Sequence, residues 1–122
     1  MSISDAESIV MEVLWRDGPR SAEDVIAAVG KERRWSAATV KTLLGRLLKK
    51  RAIKAVREGR RYIYTAVLSR DDYVAEQSQS LLDRLFGGRV APLVSQFSAQ
   101  HKLSAQDVAE LKRLIEGLED GK

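Results

Sequence analysis

The chain has 122 residues, the length of one domain with at most a small appendage, which excludes a long multi-domain enzyme. Hydrophobic residues make up 44% of it and the net charge is +4, a composition that folds rather than staying disordered. With no Cys and a single His it has no disulfides, no thiolate metal site and no cysteine nucleophile, so neither a metal nor a cofactor is expected. Acids stand near the N-terminus where a signal peptide carries Lys or Arg, and no apolar run approaches the roughly 18 residues of a membrane span. A cytoplasmic protein, neither secreted nor inserted, is the expectation.

Charge is unevenly placed. Up to Leu68 there are fourteen basic and eight acidic residues, and beyond it seven basic and nine acidic. Between Lys31 and Arg61 twelve basic residues face only Glu32 and Glu58. Such a run is either a solvated face or a surface for a polyanion, and the surrounding pattern favours the polyanion.

Ser4 with Glu7 three residues on predicts a capped helix start, followed by a buried stripe of Ala6, Val10, Val13 and Leu14 with Ile9 beside it. Asp17-Gly18-Pro19 stops that helix, since Pro cannot extend the ladder. Ser21 then caps a second helix with Ala22, Val25, Ile26 and Val29 on one face, expected to end at Gly30. The third helix has the strongest periodicity, with Val40, Leu43, Leu44, Leu47 and Leu48 at helical spacing after a Ser36 cap. Trp35, just before that cap, is placed to pack on Val40. The opposite face carries Ala37, Ala38, Thr39, Lys41, Thr42, Gly45, Arg46 and Lys49, the small, hydroxylic and basic side chains that insertion into a groove requires. Gly45 in mid-helix costs about 1 kcal/mol relative to Ala, and permits close approach either of DNA or of another helix.

Two strand-forming runs follow, Ile53–Glu58 and Tyr62–Val67, joined through Gly59-Arg60-Arg61 as a hairpin. Three helices and a hairpin give the order of a winged helix-turn-helix. Arg57, Arg60 and Arg61 make the hairpin tip basic, suited to lie along phosphates or to reach into a minor groove. Trp15, Trp35, Tyr62 and Tyr64 are expected in core or cap packing rather than stacked on bases.

After Leu68 the chain is wholly helical. Ser69 caps a helix carrying Val74, Leu81, Leu82 and Leu85, and Gly87-Gly88 breaks it. A short helix follows with Val90, Leu93, Val94 and Phe97 on one stripe, and Ser104 opens a last helix bearing Leu111, Leu114, Ile115 and Leu118. These amphipathic helices are too few and too short to close a core alone and call for a partner surface, expected to be the same segment of a second chain. The fold class is therefore mostly α with a small β-hairpin: a winged helix over residues 1–68 and a three-helix dimerisation segment over 69–122. Leu81, Leu82, Leu85, Val90, Leu93, Val94, Phe97, Leu111 and Ile115 are its expected contacts.

The stretches Ile3–Glu7 with Val10 and Leu14-Trp15, Trp35–Lys50, Glu58-Gly59-Arg60 with Tyr64, Leu81–Gly88, and Leu103-Ser104 with Leu111-Lys112 resemble the penicillinase repressor family, the BlaI/MecI type of winged-helix regulator. The resemblance runs nearly end to end. It implies a homodimer on an inverted-repeat operator, commonly with TACA and TGTA half-sites, that blocks transcription. It places Thr39, Lys41, Thr42 and Arg46 on the recognition helix, Ser36 near the DNA backbone and Arg60 on the wing. Where the family often has a basic residue this chain has Ala38. In staphylococcal members a membrane metalloprotease that senses β-lactams cleaves an Asn-Phe bond in the dimerisation segment; the corresponding pair here is Gln96-Phe97. Copper-responsive relatives use C-terminal cysteines, which this chain lacks.

Arg46, on the resemblance more than on its chemistry, is the candidate for bidentate contact with guanine, the alternative being a phosphate contact or a solvated side chain, and Thr39 and Thr42 are candidates for thymine methyl, base or phosphate contact, the alternative being plain surface residues. Lys41, Lys49 and Lys50 suit phosphate. No Ser-His-Asp constellation, phosphate-cradling loop or convergent carboxylate pair is present, so no catalytic residue is expected. A DNA-binding repressor leads; an architectural DNA binder without sequence preference and a winged-helix adaptor for another protein are the alternatives.

Overall fold

A computed structural model describes residues 2–120. In chain order the elements are α1 (Asp5–Asp17), β1 (Arg20–Ser21), α2 (Ala22–Arg33), α3 (Ala37–Lys49), β2 (Ile53–Glu58), β3 (Arg61–Ala66), α4 (Arg70–Leu85), α5 (Val90–Ala99) and α6 (Ala105–Asp120). The chain divides into two compact units between Ala75 and Glu76, within α4.

In the first unit α1, α2 and α3 pack on one another around Val10, Met11, Leu14, Val25, Val29, Val40, Leu44 and Leu47. Ser4, Ser21 and Ser36 each accept a hydrogen bond from the backbone N–H three residues on, so all three helices start where the sequence places their caps. Three expectations about these elements are corrected. α2 passes through Gly30 and ends only at Arg33. One interior glycine costs about 1 kcal/mol, too little by itself to end a helix. The hairpin gains a third strand, because Arg20 and Ser21 pair with Tyr64 and Ile63 to give the sheet order β1-β3-β2. Its turn is also tighter than expected. Glu58 pairs with Arg61, leaving only Gly59 and Arg60 as the link, and Gly59 takes φ +66°, which glycine adopts without steric cost.

The hairpin is rooted beside α3. Ala52 and Ile53 are buried immediately after that helix, and the Ala52 carbonyl accepts from the Val67 and Leu68 N–H groups at 2.8 and 3.0 Å. Trp15 Nε1 donates to the Leu68 carbonyl at 2.8 Å, and its ring lies 5.4 Å from that of Tyr73. Leu68 and Tyr73 both pack against the core, which is why the first unit reaches into α4 although the composition changes at Leu68. Trp15, Trp35 and Tyr64 pack on the core as expected. Tyr62 does not: it is half exposed, lining a recess with Ala22 and Glu23 at the start of α2.

The second unit comprises the rest of α4 with α5 and α6. Ser104 and Asp107 form reciprocal cap bonds at the start of α6, and Gly87 and Gly88 close α4. None of the three helices contains a buried residue. No described helix is long and apolar enough to cross a membrane.

One buried charge organises the first unit. Glu7 is 1% exposed, its Oε1 accepts from the Ser4 N–H at 2.8 Å, and it is paired with the Lys50 ammonium. Burial pushes the Glu7 carboxyl up, but the Lys50 ammonium and the Ser4 bonds outweigh it and hold the group below its ordinary 4.5. A carboxyl depressed on folding stabilises the fold above its unfolded value, and that stabilisation is lost as pH falls through the lower folded value. Glu7→Gln is therefore expected to cost about 1–3 kcal/mol at neutral pH, the range of a hydrogen bond to a charged group. Denaturant melts of both proteins from pH 7 to 3 check this: the gap is to narrow as pH drops below 4.5.

Candidate nucleic-acid interface

The face of α3 opposite its buried stripe is open to solvent. Val40, Leu43, Leu44 and Leu47 point into the core, so helical geometry turns Ser36, Thr39, Lys41, Thr42, Gly45, Arg46 and Lys49 outward, and all of these are exposed. Among the described residues none of Lys41, Arg46 and Lys49 has a carboxylate within ion-pair distance. Three unpaired cations on one helix face present a positive surface whose charge is not spent within the protein.

The hydroxyls on this face are already oriented. Ser36 Oγ accepts from the Thr39 N–H at 3.1 Å and lies 3.0 Å from Thr39 Oγ1. Thr42 Oγ1 donates to the Ala38 carbonyl at 3.0 Å. While that bond holds, the Thr42 hydroxyl has lone pairs but no proton to offer an outside group, which suits it to an amino donor such as adenine N6 or cytosine N4. Gly45 is exposed, and among the described residues a Cβ built on it meets nothing within 4 Å, so no other helix of the first unit packs there.

The wing supplies a second basic element. Arg60 stands in the two-residue turn, Arg61 opens β3, and Arg57 Nε donates to the Gly59 carbonyl at 3.2 Å, folding that guanidinium over the turn. All three are exposed.

Lys50 is differently placed from Lys49. Its ammonium bonds Glu7 Oε1 and the Ser2 carbonyl, the latter at 2.7 Å, and so it ties the end of α3 to the start of α1. Glu7, expected from the sequence to act as a helix cap, also takes the charge of Lys50 in the free protein. A signal was present: Ile3, Glu7, Val10 and Leu14 repeat at helical spacing, which puts Glu7 on the buried stripe, where a carboxylate needs a cation.

In the second unit the apolar side chains form an open face. Leu81, Leu82, Leu93, Val94 and Leu111 are half-buried, while Leu85, Val90, Phe97 and Ile115 are exposed. Leu114 and Leu118, at 66% and 74% exposed, extend the face along α6 beyond the contacts expected from sequence. A recess of about 270 Å³ lies among Leu93, Val94, Phe97, Leu103, Leu111 and Leu114, and another of about 370 Å³ is lined by Val90, Ala91, Val94, Leu111 and Ile115. Gln96 and Phe97 sit within α5.

Residues 3–117 match the family model described as penicillinase repressor. The penicillinase repressor of Bacillus licheniformis is 36% identical over 93% of this chain and 89% of its own length. A solution structure of the DNA-binding domain of the repressor BlaI is similar with a TM-score of 0.55 and 40% identity, over 59% of this chain and 88% of that one. The monomeric form of Bacillus licheniformis BlaI in complex with the blaP half-operator is similar with a TM-score of 0.54 and 40% identity, over 60% and 89%.

Open space at Gly45 has a measurable consequence. Gly45→Ala is expected to raise the stability of the free protein by about 1 kcal/mol, since it removes the backbone freedom of glycine without a clash. Thermal or urea unfolding checks it.

Proposed function

The chain belongs to the penicillinase repressor family, and from that membership we propose that it represses transcription as a homodimer bound to an inverted-repeat operator. The family consists of DNA-binding transcriptional regulators, not enzymes. The observation that carries the proposal is the solvent face of α3, whose Thr39, Lys41, Thr42, Arg46 and Lys49 stand opposite a fully buried stripe with their cations unpaired. In this reading α3 enters the major groove. Arg46 donates two bonds to guanine, Thr39 and Thr42 meet bases or phosphate, Ser36 lies near the backbone, and Arg57, Arg60 and Arg61 run along the flanking phosphates. Lys50 supports the end of the helix through Glu7 rather than touching DNA.

Residues 1–68 serve as the DNA-binding domain and 69–122 as the dimerisation domain. Support for the second role comes from the open face of Leu85, Val90, Leu114, Ile115 and Leu118, which the second unit leaves uncovered. Two copies set two recognition helices about one helical turn apart, and occupancy excludes polymerase from a cytoplasmic promoter. Release by a membrane metalloprotease sensor is assigned to the Gln96-Phe97 bond, which must unwind from α5 before a protease can cleave it.

Fluorescence anisotropy on a duplex carrying the TACA/TGTA repeat and on a scrambled duplex tests the proposal. The repeat is expected to bind at least about a thousandfold tighter near physiological salt, with two chains per duplex. Equal affinity for both duplexes points instead to an architectural binder. Arg46→Glu is expected to abolish operator binding, whereas an adaptor keeps its protein partner. Ile115→Glu is expected to give monomers in sedimentation velocity, with an intact first unit and weakened operator binding.

A further inference from the structure

Two arginines flank α3 in left-handed backbone conformations. Arg34 closes α2 at φ +57° and ψ +30°, two residues before the Ser36 cap, and Arg51 follows Lys50 at φ +61°. A left-handed residue just past a helix end is the position glycine fills at no cost, because any Cβ there crowds the neighbouring carbonyl. Around α3 the chain accepts that cost twice, with a long cation each time, and His101 at φ +56° accepts it once more beyond α5. Both side chains are exposed, and neither has an ion-pair or side-chain hydrogen-bond partner among the described residues. Packing therefore gives no reason for arginine at either place. An unfavourable backbone state retained at an exposed residue directs attention to what its side chain binds.

The two ends of α3 are not equivalent. In a helix-turn-helix the N-terminal residues of the recognition helix meet base edges, while the preceding helix crosses the DNA backbone. Arg34 stands at that handover, at the N-terminal end of the same exposed face that carries Ser36 and Thr39. Arg51 stands at the opposite end, next to Lys50, whose ammonium is drawn to Glu7 and Ser2 at the start of α1. We propose that Arg34 is a further DNA contact, holding a backbone phosphate at the edge of the groove that α3 enters, and that Arg51 makes no such contact. The proposal rests on α3 being the element that enters DNA.

The test uses the full chain and the labelled TACA/TGTA duplex, with affinity followed against salt, alongside thermal unfolding of each variant. Arg34→Gly is expected to leave the unfolding midpoint unchanged or raised, since glycine relieves the left-handed conformation. Its affinity is expected to fall roughly eightfold per bound chain near ~0.1 M salt, and the slope of log K against log salt to become shallower by about 0.9 per bound chain, the signature of one lost phosphate contact. Arg34→Lys keeps the slope. Arg51→Gly removes the same charge and relieves the same conformation, and its slope is expected to equal that of the parent. Lys41→Gln, on the recognition face, serves as the reference. An unchanged slope for Arg34→Gly beside a shallower one for Lys41→Gln overturns the assignment and leaves the repressor reading standing. Equal losses for Arg34→Gly and Arg51→Gly reduce the effect to net charge and overturn it too. No change in Arg34→Gly or Lys41→Gln removes the premise that α3 enters DNA.

Discussion

Burial of one face of α3 is the constraint from which the first unit follows. Val40, Leu44 and Leu47 lie against α1 and α2 with almost no solvent exposure, and helical geometry then leaves Thr39, Lys41, Thr42, Arg46 and Lys49 no direction but outward. The same packing carries into the wing. The chain leaves α3 through Ala52 and Ile53, both buried, and the Ala52 carbonyl holds the far end of the hairpin through Val67 and Leu68. The recognition helix and the wing thus share one root, and the spacing between their basic groups is set by the core beneath them.

Electrostatics divides the basic residues by what they have already bound. Lys50 spends its charge on Glu7, whose burial would otherwise be costly, and so pins the end of α3 to the start of α1. Among the described residues Lys41, Arg46 and Lys49 have no carboxylate within ion-pair distance. A cation that is unpaired in the free protein loses no internal partner when it meets a phosphate, and its binding releases counterions, which is the main source of affinity for duplex DNA. The carboxylate at position 7 thus helps sort structural cations from those available to a ligand.

The second unit presents the opposite physical situation. α6 is capped by Ser104 with Asp107 and α4 is closed by Gly87-Gly88, α5 starts without a side-chain cap, and none of the three helices buries a side chain completely. Leu114, Ile115 and Leu118 remain an exposed apolar stretch on α6.

Helix starts were legible because a cap is a local event: Ser4, Ser21, Ser36 and Ser104 need only a backbone N–H three residues away. The buried stripe of α3 and the apolar faces of α4 to α6 were legible because periodicity is itself the cause of burial. By itself, then, the sequence determined the elements, their buried and exposed faces and the basic face of α3, all of which depend on neighbours within a turn or two. Tertiary structure alone decided the rest. It added β1, whose two residues become a strand only because β3 lies alongside, and it paired Glu7 with Lys50 across 43 positions of chain. Each of these is a contact between segments distant in sequence, and its energy does not exist until the fold brings them together.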